Sequence, residues 1–411
     1  MDWSLKLDRI SFIITNFNTL KYTKWCYNSI RKNLGDVHEI VMVDDGSTDG
    51  TWEWMKETQD KDCCMQIHRN KENIGIAYSY NKMVELASNE IVCMLHSDMY
   101  VPPKFDEIML KHMKEYDFIT PLRVEPDVGY PGSVDKLLIN FGTESENFDE
   151  NGFIEWHEKN IEENKGRVEQ RMFFPWMTTK TLYNEIGGND ELFLKYMVDD
   201  DDFYLRIKMI GGKYTQLFET AVYHMPSKSV RMREDDLKVE VDGQYNKSMR
   251  NFIRKWGVWP GSVWDENRDM VIPKKYDIGL IVNNCNEELL YLLEPWCSTI
   301  YIEDREAIIN YGMKEQTQTL FDLVDRVKPI TVDKDHEIIV EFDALELQKE
   351  SFEFLQKLSL ILQDSGQVGS MKYDIFNFQI FGLNDYSRKN LNLSYSKGDL
   401  LSFDVSILEK K

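Results

Sequence analysis

The sequence predicts an α/β protein in two parts: a larger, mostly parallel sheet flanked by helices, then a second, smaller α/β domain. Three observations predict it. Short apolar, partly β-branched runs alternate with polar segments of helical length over the first hundred residues, and this order implies parallel strands joined by right-handed crossovers. The same alternation restarts after residue 275. The 411 residues also exceed one ordinary domain of roughly 100–150 residues.

Taken in order, "SFIIT" (11–15), "EIVMV" (39–43) and "EIVCML" (90–95) are short and apolar, as strands buried on both faces are. Between them "LKYTKWCYNSIRKNL", "TDGTWEWMKETQ" and "NIGIAYSYNKMVELAS" have helical length, and Ser47, Thr48 and Asp49 offer N-cap oxygens to the second. Residues 120–225 read as long irregular connections ending in one well-marked helix, "DDDDFYLRIKMIGG". Its carboxylates sit at the positive helix start and its glycines supply a stop. The segment 256–275 reads as a connector between a domain of residues 1–255 and one of 276–411. In the second domain "YDIGLIVNN", "STIYIED", "HEIIVEFD" and "IFNFQIF" predict strands, and "SFEFLQKLSLILQDSG" predicts helix.

Composition narrows the partners. Against 49 basic residues stand 71 acidic ones, a formal net charge of −22, which disfavours a nonspecific grip on nucleic acid or anionic membranes. The six cysteines (26, 63, 64, 93, 285, 297) lack metal-ligand spacing and suit free thiols in a reducing compartment. "MDWSLKLDRI" lacks the apolar core of a signal peptide, and no run approaches the ~18 apolar residues of a membrane helix. The expectation is a cytoplasmic protein without an integral membrane segment.

In an open parallel sheet, ligands bind beyond the carboxyl ends of the strands. The first strand runs into Thr15, Asn16, Phe17 and Asn18, the second into Asp44 and Asp45, and the third into His96, Ser97 and Asp98. Such side chains suit a base and ribose, while Asp and His together suit a divalent metal. With no Walker lysine and no Gly-x-Gly-x-x-Gly, phosphate binding would run through that metal. The pattern implies a metal-dependent, nucleotide-binding enzyme.

"FIITNFN", "VMVDDGSTDGT", "NIGIAYSYN", "LHSD" and "GGNDELF...VDDDDFYLRIKMIGG" resemble, in order and approximate spacing, family 2 glycosyltransferases of the GT-A fold, over about residues 9–230. The resemblance implies a mixed, mostly parallel sheet with helices on both faces. It also implies an inverting enzyme that moves a sugar from a nucleotide donor, UDP by preference, to an acceptor hydroxyl. By match, Thr15 and Asp45 contact the base with Asp44 in support, and Gly75 falls among the nucleotide-binding positions. The usual Asp-x-Asp is His96-Ser97-Asp98 here, with Asp98 the expected metal ligand. His96 is expected as a further ligand, which favours Mn²⁺ over Mg²⁺, or as a hydrogen-bond donor to ribose or phosphate. His224 in "AVYHMPSKSV" matches a further metal position. The general base maps to Asp200, with Asp202 as second choice and Asp199 as an acceptor-side neighbour. Trp176 is placed by analogy to stack on an acceptor sugar, or else lies in the core.

The acceptor class stays open among glycan, lipid-linked and protein hydroxyls. A nucleotidyltransferase is the weaker enzyme reading, since "TNFNTLKY" carries no Gly-rich basic loop. A catalytically disabled nucleotide-sugar or glycan binding module is the alternative of a different class, kept alive by His96. The C-terminal domain is expected to bind acceptor, pair protomers into a homo-oligomer, or carry a separate activity.

Overall fold

The computed structural model describes residues 9–35, 37–127, 136–193, 195, 197–226 and 235–391, with backbone alone over 235–242. The first part opens with β1 (Ile10–Asn16), α1 (Leu20–Leu34), β2 (Glu39–Asp44), α2 (Thr51–Gln59), β3 (Met65–Arg69), α3 (Ile76–Leu86), β4 (Ile91–His96) and β5 (Met99–Tyr100). It continues through α4 (Phe105–His112), β6 (Phe118–Glu125), β7 (Lys136–Leu138), α5 (Glu150–Glu163), β8 (Val168–Glu169), β9 (Trp176–Thr179), α6 (Lys180–Glu185), α7 (Asp199–Met209), β10 (Tyr214–His224) and α8 (Asp235–Trp256). The main sheet runs β3-β2-β1-β4-β9-β6-β10-β5, with β7 beside β6 and β8 beside β10. Pairs among β1, β2, β3 and β4 are parallel, as are β6 and β10. The short β9 and β5 are antiparallel to their neighbours, so the sheet is mixed and mostly parallel.

The register levels the strand ends. Thr15 lies beside both Val43 and His96, and Asn16 lies beside Asp44, so the polar residues after β1, β2 and β4 emerge along one edge. The strands themselves are fully buried apart from Thr15 and His96, as continuous apolar runs in a two-sided parallel sheet must be.

The middle of the chain departs from expectation: besides the acidic helix, five strands (β6 to β10) and two helices (α5 and α6) stand where irregular connections are predicted. β6 and β10 are buried throughout or nearly so, yet they carry Thr120, Arg123, Gln216, Glu219 and Thr220. Those polar residues break the apolar run that marks a buried strand in sequence. β3, "MQIHR", is an edge strand and equally unmarked. The acidic helix forms as expected over Asp199–Met209 and ends at Gly211, whose φ is +77°.

The second part is β11 (Ile278–Asn283), α9 (Glu287–Leu293), β12 (Thr299–Ile302), α10 (Arg305–Glu315), α11 (Leu323–Arg326), β13 (Val327–Pro329), β14 (Ile338–Asp343), α12 (Lys349–Gln356), α13 (Leu358–Ser365), β15 (Gly369–Tyr373) and β16 (Phe376–Ile380). Its sheet runs β13-β12-β11-β14-β16-β15, parallel over the first four and antiparallel at β16 and β15. It has its own apolar core, from Ile278 and Leu280 to Phe378 and Ile380. Between the two sheets, Val258, Val263 and Met270 pack into the core of the first. Among the described residues no helix is long and apolar enough to cross a membrane.

Candidate active site

At the edge where the polar residues after β1, β2 and β4 emerge, the loops after β1 and β2 are tied together. Asn18, at φ +53°, donates its N–H to Ser47 Oγ at 2.8 Å, and its Oδ1 accepts from Thr48 N at 2.8 Å. Asp45 accepts from Asn70 Nδ2 (2.8 Å), Ile74 N (3.1 Å) and Gly75 N (3.0 Å), so it fixes the loop that starts α3. Gly46, at φ +83°, passes so close to this loop that a Cβ would lie 2.8 Å from the Glu72 carbonyl carbon. Asp44 is buried, accepts from Ser47 N at 3.1 Å and pairs with Arg69 Nε at 3.2 Å.

Two nucleotide-side expectations change role. Asn16 is buried, donates to Ile14 O and Val43 O, and accepts from Thr23 Oγ1 at 2.8 Å. Both N–H groups of its amide are spent on backbone carbonyls of β1 and β2 while its oxygen accepts from α1, so the side chain ties these elements together. Ser97, also buried, is 3.2 Å from Thr19 Oγ1 and pins β4 to the start of α1. Thr15, Phe17 and Asn18 remain half-buried at the edge.

Beside them, His96, Asp98 and His224 converge. One ligating atom from each lies within 4.8 Å of the others. The register explains the meeting: His224 ends β10 opposite Met99 of β5, next to Asp98, and Met225 N donates to Asp98 O at 3.0 Å. His224 Nδ1 lies 2.8 Å from Glu125 Oε1 at the end of β6. Burial alone would push Glu125 up, but the hydrogen bond and charge of His224, with Arg123 and Lys136, hold it down at about 2. An ionised carboxylate only accepts, so Nδ1 carries the proton and Nε2 faces Asp98 Oδ1 at 3.4 Å. That oxygen is buried without a hydrogen-bond partner. Burial opposes the ionised form of Asp98, but the charge of His224 outweighs it and holds the carboxyl below its usual range. Burial disfavours a charged His224, but Asp98 and Glu125 outweigh it and raise its pKa, so a proton sits between Nε2 and the Asp98 oxygen; a divalent ion can take that proton's place, and the three side chains fit one on that ground. Burial takes His96 down to about 3 against the pull of Asp98, so its imidazole is neutral, the form that binds metals. Its ring is stacked on Phe174 at 3.7 Å.

The acidic helix lies close by. Arg123 of β6 is within electrostatic reach of both His96 and Asp200. Asp200 is exposed, but it sits in a recess crowded by protein atoms, and the loss of surrounding water raises its pKa. Asp199 is half-buried; desolvation and then the neighbouring charge of Asp200 push it up to about 7. Asp201 accepts from Trp264 Nε1 at 3.0 Å. Upstream, Ile76 N donates to Lys195 O at 2.9 Å, sealing the loop before α7 onto the start of α3.

Two more expectations meet the packing. Asp202 is fully buried, paired with Arg206 Nη2 (2.9 Å) and Lys255 Nζ (2.6 Å), and accepts from Trp256 Nε1 (2.9 Å). Burial would raise its pKa, but Arg206 and then Lys255 hold it low; it is a structural anion, inaccessible as a base. Trp176 is 1 % exposed and stacked on Phe203 at 5.3 Å. It fills the core beneath β9 and presents no face to a sugar.

Sequence reasoning missed Glu125, Arg123 and Lys255. "LRVEP" holds the only available signal for the first two, charged residues closing an apolar run as Asp44 and Asp98 do. Lys255 meets Asp202 only through tertiary folding.

Residues 11–164 match the family model described as "Glycosyl transferase family 2". The putative glycosyltransferase EpsH of Bacillus subtilis is 30% identical over 102 residues, 25% of this chain and 29% of that protein. Glycosyltransferase GlyA of Streptococcus pneumoniae is 30% identical over 109 residues, 26% of this chain and 16% of that protein. The uncharacterized glycosyltransferase YfnE of Bacillus subtilis is 26% identical over 223 residues, 53% of this chain and 50% of that protein. A crystal structure of GalNAc-T7 with UDP, GalNAc and Mn²⁺ aligns with a TM-score of 0.43 and 15% identity over 64% of this chain and 49% of that chain. The chain thus spans half or less of each of these proteins. Over residues 11–164 the chain is similar to glycosyl transferase family 2, a match of somewhat over a third of its length.

Proposed function

We propose that this chain is an inverting glycosyltransferase that moves a sugar from a nucleoside-diphosphate donor, a UDP-sugar, to an acceptor hydroxyl. The observation that carries the reading is the convergence of Asp98, His224 and His96 at the edge formed by β1, β2 and β4, with an accessible carboxylate, Asp200, that feels the same Arg123 charge as His96. The family match supports the reaction class.

The residues divide the work. Thr15, Phe17, Asn18, Asp44, Asp45 and Gly75 form the nucleoside edge, with Asp45 holding Gly75 in place. Asp98, His224 and His96 are the candidate ligands of a divalent cation, whose charge would balance a diphosphate. Two imidazoles with one carboxylate are borderline donors that favour Mn²⁺ over Mg²⁺. Glu125 fixes the tautomer of His224. Asp200 takes the proton of the acceptor hydroxyl as its oxygen forms the new bond to the anomeric carbon. The bond to the diphosphate oxygen breaks on the opposite face, and the configuration inverts. Its pKa, raised by desolvation, makes it a better base than an ordinary aspartate. Asp199 borders the acceptor side. Residues 1–255 make the transferase domain, 256–275 the connector and 276–411 the accessory domain; the six free cysteines suit a cytoplasmic setting.

The test is calorimetric titration of the purified protein with UDP, GDP and CDP, each with and without Mn²⁺, followed by turnover with sugar nucleotides of the base that binds. Metal-dependent binding of UDP is expected, and Asp98→Ala should abolish that dependence. A folded protein that binds none of the three nucleotides overturns the reading and favours the disabled binding module.

A further inference from the structure

α8 carries three consecutive residues that face two different parts of the molecule. Lys255 Nζ, fully buried, lies 2.5 Å from Asp190 Oδ2 and 2.6 Å from Asp202 Oδ1. Trp256 Nε1 donates to the same Asp202 oxygen at 2.9 Å, and Asp202 Oδ2 pairs with Arg206, which reaches Ile186 O. The two anions and two cations balance, so none can be removed without leaving a buried charge unpaired. Asp202 lies only two residues from Asp200, on the first turn of α7.

One residue earlier, Arg254 faces the second sheet domain. Its Nη2 lies 2.7 Å from Glu294 Oε2 and its Nε donates to the same oxygen at 2.9 Å. Glu294, fully buried, also accepts from Tyr311 at 2.8 Å and pairs with Arg326. Arg250, one turn back, pairs with Glu315 at 3.0 Å. Between these clusters Asn251 Nδ2 donates to Leu192 O (3.0 Å), ahead of α7, and to Gln318 O (3.1 Å), in the second domain. A rigid helix thus grips the acidic helix with one set of buried polar groups and the second domain with another.

We infer that Lys255 and Trp256 are positioning residues for Asp200, and that the C-terminal domain, through Glu294 and Arg254, is the anchor that fixes α8 and with it the start of α7. This deepens the proposed transferase reading and rests on it for its kinetic consequence. In this arrangement the accessory domain is a structural part of the catalytic unit. Its contribution is to the placement of the base, so its loss registers in turnover before it registers in nucleotide binding.

The test compares wild type, Trp256→Phe, Lys255→Met, Lys255→Arg and Glu294→Gln in the full chain. Trp256→Phe keeps an aromatic side chain and strands no charge while removing the N–H to Asp202 with the pyrrole half of the indole, so it remains informative where Lys255→Met fails to fold. Expected are a kcat loss of about ten- to a hundredfold in Trp256→Phe and Glu294→Gln, the scale of a 1 Å misplacement, with nucleotide affinity within about twofold of wild type and partial recovery in Lys255→Arg relative to Lys255→Met. Hydrogen exchange supplies a readout independent of turnover: amides of 199–209 should exchange faster in Glu294→Gln while those of β1 and β2 do not change. Unchanged kcat together with unchanged exchange in α7 overturns the inference, as does a parallel loss of turnover and nucleotide affinity. If wild type transfers no sugar, the transferase reading fails by itself, and the exchange experiment still decides whether the second domain holds α7.

Discussion

Asp199 and Asp202 begin the same helix three residues apart and end in opposite states, because their surroundings differ. Asp202 is matched by Arg206 and Lys255 at hydrogen-bonding distance. Asp199 has desolvation and the charge of Asp200 against it, and is pushed up to about 7. A folded-state pKa above the unfolded value means that the native protein holds a proton the unfolded chain has released, so stability falls as pH rises from about 4 to about 7. Asn at this position removes the titration. Asp199→Asn is therefore expected to raise the melting temperature at pH 8, by about 1 °C for each kcal/mol of desolvation and repulsion relieved in a chain of this length. The gain should shrink toward pH 5 and vanish near pH 4. Thermal unfolding of both proteins across that range checks it; a gain that does not depend on pH would place its origin outside the titration of this carboxyl.

At the scale of elements, α7 converts position along one turn into role. Asp200 is exposed and Asp202 is enclosed, so Asp200→Asn should lower turnover by about 10² or more with melting temperature and nucleotide affinity little changed. Asp202→Asn should instead lower the melting temperature, since breaking a buried pair costs about 3–5 kcal/mol. Turnover and melting curves on the two variants separate them. The helix and its acidic start were legible in sequence, as were β1, β2 and β4, because strands buried on both faces read as apolar runs and the polar residues beyond them stand out. The assignment of roles within the run was not legible, since it depends on Lys255 and Trp256, more than fifty positions away. β6 and β10 were missed for a related reason: buried partners satisfy their polar residues, such as Glu219 by His112 at 2.6 Å and by Gly166 N at 2.7 Å. Glu125 went with them, and the aromatic content of "FFPWM" suggested a sugar platform where Trp176 is core.

For the whole molecule the decisive feature is where the charges between the two sheets lie. Arg254 and Glu294 are fully buried, and Arg250, Glu315 and Arg326 are nearly so. Interfaces between independent domains tend to be polar and hydrated, and permit relative motion. A buried cluster of hydrogen-bonded ions does not, because separating the two sides would strand charges on each. Lys275 is caught in the same region: burial, and then the charge of Arg326, takes its ammonium down to about 7, and it donates to Arg254 O. The two parts, each with its own apolar core, are therefore expected to unfold together. Scanning calorimetry of the full chain should give one transition, with calorimetric and van't Hoff enthalpies equal. Glu294→Ala, which leaves Arg254 and Arg326 facing each other across the emptied site, should lower that transition or split it in two. Two separate transitions in wild type would show that the cluster does not couple the domains, and the route from the C-terminal sheet to Asp200 would be lost with it.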